Sequence, residues 1–305
     1  MTNNKLNTGT VEPKKLEIKD LYKSYGGRVI LDNIDLSVAS GELCTVVGPS
    51  GCGKSTLLRM ILGQEPADAG EVKLDGQAVS HPDTQRGIVY QKYSLFPNRT
   101  VLDNVLLGKV FTREQWWNPF SRKKEHTEEA MSYLERVRLT DAAHKYPHEL
   151  SGGMQQRAAI AQALIMKPPI LLMDEPFGAL DPDTRDDLQL FLLELWEQEK
   201  LTIFFVTHDL VEACYLGSRL LVLSQYYTDD RGHEEHVNRG GRIVADHKLS
   251  TVTSSTEVKE SAEFQALIHS VRNEGFNPDQ LQHVSDFNLS HPDAYQTLLK
   301  TEHKR

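Results

Sequence analysis

Apolar and polar residues alternate along two stretches close to the start of the chain. The stretches "LEIKDLYKSY" (16–25) and "VILDNIDLSV" (29–38) have the two-residue period of half-buried strands, with Gly26-Gly27 at the turn between them. The stretch "GEVKLDGQAV" (70–79) has the same character and turns near Asp75-Gly76. We therefore expect an antiparallel β subdomain in this part of the chain.

A second pattern begins at residue 42, where short apolar runs alternate with segments of helical spacing. The apolar runs predict buried strands at 42–48, 87–91, 170–176 and 202–208. Helical spacing covers 54–63, 182–200 and 210–217. Strands and helices in this order predict an α/β fold with a mostly parallel sheet covered on both faces. The segments 219–224 and 241–249 are expected to close the sheet as an antiparallel pair.

Two further regions have mainly helical patterns. Residues 92–165 contain no strand pattern of their own, which predicts a helical subdomain inserted into the main domain. Residues 251–305 are predicted to be a mostly helical C-terminal extension to a main domain at 15–250. The polar residues 1–14 are predicted to be a disordered leader.

Composition narrows the function classes. The 305 residues include 34 Lys and Arg against 43 Asp and Glu, a formal net charge of −9, which argues against a dedicated nucleic-acid-binding protein. Three cysteines without an obvious pairing suggest reduced thiols. No run of residues approaches the roughly 18 apolar residues of a membrane span, so any action at a membrane is expected to go through a partner.

The stretch "GPSGCGKST" (48–56) matches the phosphate-binding pattern G-x-x-x-x-G-K-[ST] between a predicted strand and a predicted helix. Its backbone N–H groups and the helix N-terminus are suited to phosphate groups. Lys54 is expected to reach the β- and γ-phosphates, and Ser55 to ligate Mg²⁺. The predicted nucleotide-binding residues of this loop are Gly48, Pro49, Ser50, Gly51, Cys52, Gly53, Lys54, Ser55 and Thr56. The prediction is a P-loop NTPase core.

Two carboxylates end the apolar run "ILLMDEP" (170–176). At the end of a buried strand they would meet solvent and ligand. Asp174 is expected to hold Mg²⁺ and Glu175 to polarise the attacking water. The alternative is a pair that caps the following helix.

The stretch "SGGMQQR" (151–157) predicts a second anion site. Ser151 is a suitable N-cap, and Gly152 and Gly153 leave backbone amides exposed at the start of a helix. One nucleotide on one chain cannot readily use two separated phosphate sites. A symmetric dimer resolves this, because each chain's Ser-Gly-Gly turn can close on the nucleotide held by the other chain.

Together these motifs resemble the ATPase subunits of ATP-binding cassette (ABC) transporters, over roughly residues 15–250. The stretch "LSGGMQQR" resembles the family signature, which adds Gln155 to the predicted nucleotide-binding residues. The resemblance implies that Tyr25 stacks on adenine, with Tyr22 as a rival. It also implies that Gln91 contacts the metal and the attacking water, and that His208 lies near the γ-phosphate. The catalytic residues predicted in this way are Lys54, Gln91, Glu175 and His208, and the Mg²⁺ ligands are Ser55, Gln91 and Asp174.

Asp181 in "GALDP" resembles the residue of the loop that communicates across the dimer. It could also cap the helix that begins near Pro182, or do both.

The resemblance further implies a function. The chain is expected to be the ATP-hydrolysing subunit of an importer for a small polar solute or oxyanion, such as nitrate, a sulfonate, taurine, bicarbonate or a urea- or guanidine-like solute. The implied partners are a second nucleotide-binding subunit, an integral-membrane permease and an extracytoplasmic solute-binding protein, at the cytoplasmic face of the membrane. The implied cofactors are ATP and Mg²⁺. The alternatives are an exporter or a non-transport ABC ATPase.

Three segments exceed a minimal cassette. Residues 111–126 could contact the permease or lipid headgroups, or could elaborate the surface of the helical subdomain. Residues 225–241 are expected to form a solvated loop, although the sequence "HEEH" (233–236) could bind a metal. The extension 251–305 could be a regulatory appendage, or could be helices that pack on the cassette or on a second copy of it. Cys52 lies inside the phosphate loop, so its alkylation is expected to slow ATP hydrolysis.

Overall fold

The computed structural model describes residues 14–91, 94–110, 124–231, 238–249 and 256–294. The strands are β1 Lys14–Tyr25, β2 Arg28–Ala39, β3 Leu43–Val47, β4 Ala69–Leu74, β5 Gln77–Ala78, β6 Arg86–Tyr90, β7 Ile170–Asp174, β8 Ile203–Val206, β9 Arg219–Ser224, β10 Tyr227–Thr228, β11 Arg242–Lys248, β12 Gln282–His283 and β13 Asn288–Leu289. The α-helices are α1 Lys54–Ile61, α2 Val101–Val110, α3 Lys124–Arg136, α4 Gly152–Leu164, α5 Pro182–Glu199, α6 Leu210–Leu216 and α7 Ala262–Gly275.

The predicted antiparallel subdomain is confirmed. Four strands lie in the order β2-β1-β4-β5, and β4 turns into β5 through Asp75 and Gly76. Alternate residues of β1 and β2, among them Leu16, Ile18 and Leu36, are buried against α1 and one face of the larger sheet. The half-buried pattern of the sequence corresponds to this packing. Residues 1–13 of the predicted leader lie outside the described residues.

The larger sheet has seven strands in the order β13-β11-β9-β3-β8-β7-β6. The five strands from β9 to β6 are parallel, and β11 runs antiparallel to β9, as predicted. The strands β3, β8 and β9 consist entirely of buried residues, which explains their continuous apolar sequences. Because β3, β8 and β7 are neighbours, the segments that follow them emerge at the same edge of the sheet.

The helical insertion is also present. Between β6 and β7 the described residues form α2, α3 and α4 with two short 3-10 turns, and no strand. The three helices pack on one another through apolar side chains such as Val105, Leu134 and Ile160. Residues 92–93 and 111–123, including most of the predicted 111–126 elaboration, lie outside the described residues.

The C-terminal segment packs on the same chain. The predicted helix is confirmed as α7, which lies against α6, β9 and β11 and buries Phe264, Ile268 and Val271. Two short strands were not predicted: β12 pairs with β10, and β13 extends the edge of the larger sheet beside β11. A two-residue strand is too short to show periodicity in sequence, so only tertiary contacts define it.

The expectation of a solvated loop at 225–241 is wrong for the described part of that segment. Tyr227 and Thr228 are buried, and the Tyr227 hydroxyl donates to Asp32 of β2 at 3.1 Å. Arg231 reaches the same Asp32 carboxylate at 2.6 Å and Asp229 at 2.5 Å. The segment therefore packs against β2 through charge-assisted hydrogen bonds. The predicted metal-binding candidates His233, Glu234, Glu235 and His236 lie outside the described residues.

A buried arginine joins three parts of the fold. The Arg219 side chain is fully buried and donates twice to Asp246, from Nε to Oδ1 at 2.8 Å and from Nη2 to Oδ2 at 2.6 Å. Its Nη1 donates to the Ser37 carbonyl oxygen at 2.6 Å. The guanidinium thus links β9 and β11 to β2, and its buried charge is compensated mainly by the bidentate Asp246 carboxylate, with Glu42 Oε2 3.4 Å from Nη1.

Replacing Asp246 with alanine is expected to lower the free energy of unfolding by about 3–5 kcal/mol, because it leaves the Arg219 charge buried without its bidentate partner. Urea unfolding followed by circular dichroism measures the change. The matched control is Glu194→Ala, which removes an ion pair with Arg138 between exposed side chains and is expected to change stability by less than about 1 kcal/mol. Equal losses in the two variants would contradict the assigned role of Arg219.

Candidate functional site

The phosphate loop connects β3 to the N-terminus of α1. Helix α1 begins at Lys54 with Gly53 as N-cap and no side-chain cap, so its first N–H groups point toward the loop. Gly53 has φ 104°, and a Cβ there would lie 2.6 Å from Leu31 Cδ2. Glycine is therefore required by both conformation and space. This curled loop before a helix N-terminus fits the phosphates of a nucleotide.

An open pocket of about 650 Å³ lies over this loop. Small-molecule sites commonly have volumes of roughly 300–1,000 Å³. Its lining residues are Tyr25, Arg28, Ile30, Ser50, Gly51, Gly53, Lys54, Ser55, Thr56, Glu175 and His208. The structure thus brings together most of the predicted loop residues, three of the four predicted catalytic residues (Lys54, Glu175 and His208) and the predicted adenine-stacking tyrosine. The loop residues Gly48, Pro49 and Cys52 do not line the pocket.

Lys54 is held by the loop itself. Its Nζ donates to the carbonyl oxygens of Gly48 at 2.6 Å and Pro49 at 3.1 Å. The side chain is buried apart from its contribution to the pocket wall. The ammonium therefore lies at the base of the loop, where it can neutralise phosphate charge.

Glu175 and His208 meet across the edge of the sheet. Glu175 directly follows β7, and its N–H donates to the Val206 carbonyl oxygen at 2.8 Å. One of its oxygens lies 3.2 Å from His208 Nδ1, which follows β8 by two residues. Glu175 has φ 47°, a left-handed conformation that costs a non-glycine residue about 1–3 kcal/mol and that occurs preferentially at functional sites.

The Ser-Gly-Gly turn lies elsewhere on the chain. Ser151 caps α4 by accepting a hydrogen bond from Met154 N at 3.3 Å. A Cβ at Gly153 would lie 2.6 Å from Thr184 Cγ2, so this glycine also permits close packing of α4 on α5. Gln155 Nε2 donates to the carbonyl oxygens of Pro147 at 2.9 Å and Leu150 at 3.3 Å, which braces the turn. The residues Ser151, Gly152, Gly153 and Gln155 do not line the pocket.

Comparison with known proteins identifies the family. Residues 31–178 match the model of the ABC transporter family. The chain is 49% identical over 214 residues to an uncharacterised ABC transporter ATP-binding protein of Methanocaldococcus jannaschii, covering 69% of this chain and 78% of that protein. The chain belongs to the ABC transporter family. Within that family it is an ATP-binding subunit with ATPase activity.

Two further proteins are similar to this ABC ATPase. It is 43% identical over 209 residues to the taurine import ATP-binding protein TauB of Escherichia coli K12, covering 68% of this chain and 79% of TauB. A solved ATP-binding cassette, in a dimeric post-hydrolysis state bound to ADP and phosphate, aligns with a TM-score of 0.62 at 32% identity. That alignment covers 77% of this chain and 99% of the solved one.

Oxygen donors near the pocket of this ABC ATPase suit Mg²⁺. Burial and the adjacent Glu175 carboxylate raise the pKa of Asp174, the last residue of β7, so a cation there would favour its ionised form. The Gln91 amide lies beside Gly178, in the turn that follows Glu175. With the Ser55 hydroxyl, these groups are the hard oxygen ligands that Mg²⁺ prefers. Asp174 and Gln91 are not among the residues that line the pocket.

The structure bears on two alternatives that the sequence left open: which tyrosine, Tyr25 or Tyr22, lies at the pocket, and whether Asp181 caps a helix. Tyr25 forms part of the pocket wall and is 43% exposed, whereas Tyr22 does not line the pocket. Asp181 caps α5 by accepting a hydrogen bond from Thr184 N at 3.0 Å, as one interpretation predicted. A role for Asp181 across a dimer remains a prediction.

Asn238 supports the pocket wall and was not predicted from the sequence. Asn238 bridges the turn between β1 and β2: its Nδ2 donates to the Gly27 carbonyl oxygen at 2.6 Å, and its Oδ1 accepts from Val29 N at 3.2 Å. This turn lies between Tyr25 and Arg28, two lining residues that come from opposite strands. No local pattern marks Asn238, because its partners lie about 210 residues away.

Replacing Asn238 with alanine is expected to raise the Kd for ATP roughly five- to tenfold, because the loss of two hydrogen bonds of about 0.5–1.5 kcal/mol each loosens the turn. Titration with a fluorescent ATP analogue measures the change. The control is Asn277→Ala, which removes a local hydrogen bond to Asp279 N in the turn after α7 and is expected to leave Kd unchanged. Equal ATP affinity in both variants would refute the role of Asn238.

The Cys52 thiol is expected to react slowly with alkylating agents in the folded ABC ATPase. It is 1% exposed, and burial raises its pKa although the Lys54 ammonium opposes the shift. Alkylation requires an accessible thiolate. Mass spectrometry after brief iodoacetamide treatment should show little modification of the native protein and complete modification after denaturation. Rapid native labelling at Cys52 would contradict this placement. The expected effect of modification on ATP hydrolysis remains a prediction.

Proposed function

We propose that this ABC ATPase drives an importer for a small polar solute or oxyanion. The similarity to TauB supports the importer class, and the observation that carries the ATPase mechanism is the separation of the two phosphate-binding motifs. Lys54, Glu175 and His208 share one pocket, while the Ser151 turn lies on another part of the chain. The proposed nucleotide-binding domain spans 15–250, with the helical subdomain at about 92–165.

Hydrolysis is proposed to depend on positioning and charge. The N–H groups at the start of α1 and the Lys54 ammonium hold the β- and γ-phosphates. Glu175 orients a water on the γ-phosphorus and accepts its proton as the bond to ADP breaks. His208 binds the γ-phosphate beside Glu175. Mg²⁺, when held by Ser55, Gln91 and Asp174, would neutralise phosphate charge.

A second copy of the chain is proposed to complete each site. Its Ser151, Gly152 and Gly153 amides would close on the γ-phosphate, and its Asp181 loop would lie at the same interface. Each chain carries both halves, so a homodimer forms two equivalent sites.

The proposed membrane partner is a separate permease. Among the described residues, no helix has both the length and the apolar composition to cross a bilayer. ATP-driven closure would move the helical subdomains against the permease, with Gln91 linking the metal site to that contact. The complex is proposed to lie at the cytoplasmic face of the membrane.

The solute class is supported by the relative TauB, whose name specifies taurine import. The proposed range is nitrate, sulfonates including taurine, bicarbonate, and urea- or guanidine-like solutes, delivered by an extracytoplasmic solute-binding protein. The cassette would not contact the solute, so the solute-binding protein determines which of these is transported.

Affinity purification of tagged Glu175→Gln from native membranes tests this proposal. Loss of the base is expected to slow hydrolysis by roughly 10²–10⁴-fold, which traps the ATP-bound dimer. With Mg-ATP, a multi-span permease and a solute-binding protein should co-purify and be identified by mass spectrometry. Lys54→Ala, which weakens phosphate binding, is the control and should recover less of both.

The other outcomes are informative. A permease without any solute-binding protein would favour an exporter over an importer. Ribosomal or DNA-repair proteins without a permease would overturn the transport proposal. Where a solute-binding protein does co-purify, calorimetric titration of that protein with taurine, nitrate and bicarbonate would test the solute class.

A further inference from the structure

A row of hydrogen-bonded polar side chains runs from the C-terminal segment to the residue before His208. Lys259 Nζ donates to Gln189 Oε1 at 2.9 Å, and Gln189 Nε2 donates to Glu212 Oε1 at 3.1 Å. The other Glu212 oxygen accepts from Thr207 Oγ1 at 2.6 Å. The row therefore connects the segment before α7, helices α5 and α6, and the end of β8.

The middle of this row is deeply buried. Gln189, Thr207 and Glu212 are 2%, 2% and 3% exposed. Burial removes water from a carboxyl group, and this costs free energy that only hydrogen-bond donors from the protein can offset. Each Glu212 oxygen has one donor in the row, so the orientation of this carboxyl group depends on both Gln189 and Thr207.

Thr207 fixes the backbone that carries His208. Its N–H donates to the Val46 carbonyl oxygen at 3.1 Å, and its Oγ1 accepts from Asp209 N at 3.1 Å. His208 lies between these two anchored residues, with Nδ1 3.2 Å from Glu175. A change in the Thr207 hydroxyl would therefore be transmitted to the position of His208 relative to Glu175.

Lys259 and Glu212 together fix the orientation of the Gln189 amide. An ammonium only donates and a carboxylate only accepts, so the amide oxygen must face Lys259 and the amide nitrogen must face Glu212. Asp186 at 2.7 Å and the Tyr215 ring, 4.3 Å from Nζ to its centroid, hold the ammonium in place. Without Lys259 the amide oxygen of Gln189 loses its donor, and the side chain is held only through its bond to Glu212.

We propose that Lys259 is a positioning residue for ATP hydrolysis, acting through Gln189, Glu212 and Thr207 on the loop that carries His208. The C-terminal segment is thereby coupled to the catalytic edge of the sheet without contacting the nucleotide. The inference rests on the proposed role of His208. A displacement of residues 256–260 from α5 would weaken this coupling, which gives the segment a means to control hydrolysis.

Steady-state ATPase kinetics of Lys259→Met test the inference. Methionine keeps an apolar side chain against Tyr215 but cannot donate to Gln189. The kcat is expected to fall roughly three- to tenfold with KM nearly unchanged, and Lys259→Arg should recover most of the loss. The matched control is Arg272→Met, an exposed cation on α7 in the same segment, which should leave kcat and KM unchanged.

A double-variant cycle separates this inference from the role of His208. His208→Ala alone should lower kcat, and adding Lys259→Met should cause little further loss, because both changes act through the same loop. If His208→Ala is slow but Lys259→Met has normal kcat, the coupling is wrong and the role of His208 stands. If His208→Ala has normal kcat, the proposed catalytic role of His208 fails first. A shift in KM alone for Lys259→Met would also overturn the inference.

Discussion

Parallel pairing of β7, β8 and β3 is the constraint on which the site depends. Parallel strands end at the same edge of a sheet, so the phosphate loop after β3, Glu175 after β7 and His208 after β8 are brought together by strand order alone. The paired backbone also stabilises the left-handed conformation of Glu175, through its hydrogen bond to Val206. The strand order therefore determines which segments meet at the site, whatever contacts their side chains make.

The same sheet organises the parts that lie away from the nucleotide pocket. The helical insertion leaves the sheet after β6 and returns at β7, and it carries the Ser151 turn on α4, apart from the pocket. Helix α5 packs against Gly153 at its first turn and supplies Gln189 to the buried row further along. One helix thus contacts both the Ser-Gly-Gly turn and the network that reaches His208, so the proposed movement of the helical subdomain and the proposed positioning of His208 share a structural element.

Local patterns predicted most of the fold and of the pocket. The strand alternation, the loop 48–56 and the carboxylates after β7 are contiguous in sequence, so residue type and spacing were sufficient to indicate them. The missed features depend on partners far along the chain: Asn238 with the β1–β2 turn, Lys259 with Gln189, and the short strands β12 and β13. The solvated loop predicted at 225–241 is wrong over 225–231, because the partner of Arg231, Asp32, lies about 200 residues earlier and leaves no local signal.

Two chains are proposed to share each ATP site, and this arrangement can be tested by mixing two inactive variants. Lys54→Ala disables the phosphate loop, and Ser151→Arg disables the Ser-Gly-Gly turn. A mixed dimer contains one fully intact site, built from Lys54 of one chain and Ser151 of the other. Neither variant alone should hydrolyse ATP, and an equimolar mixture should recover roughly a quarter of the wild-type rate, because half of randomly formed dimers are mixed. Absence of recovery, despite mixed dimers demonstrated with two different affinity tags, would contradict the account.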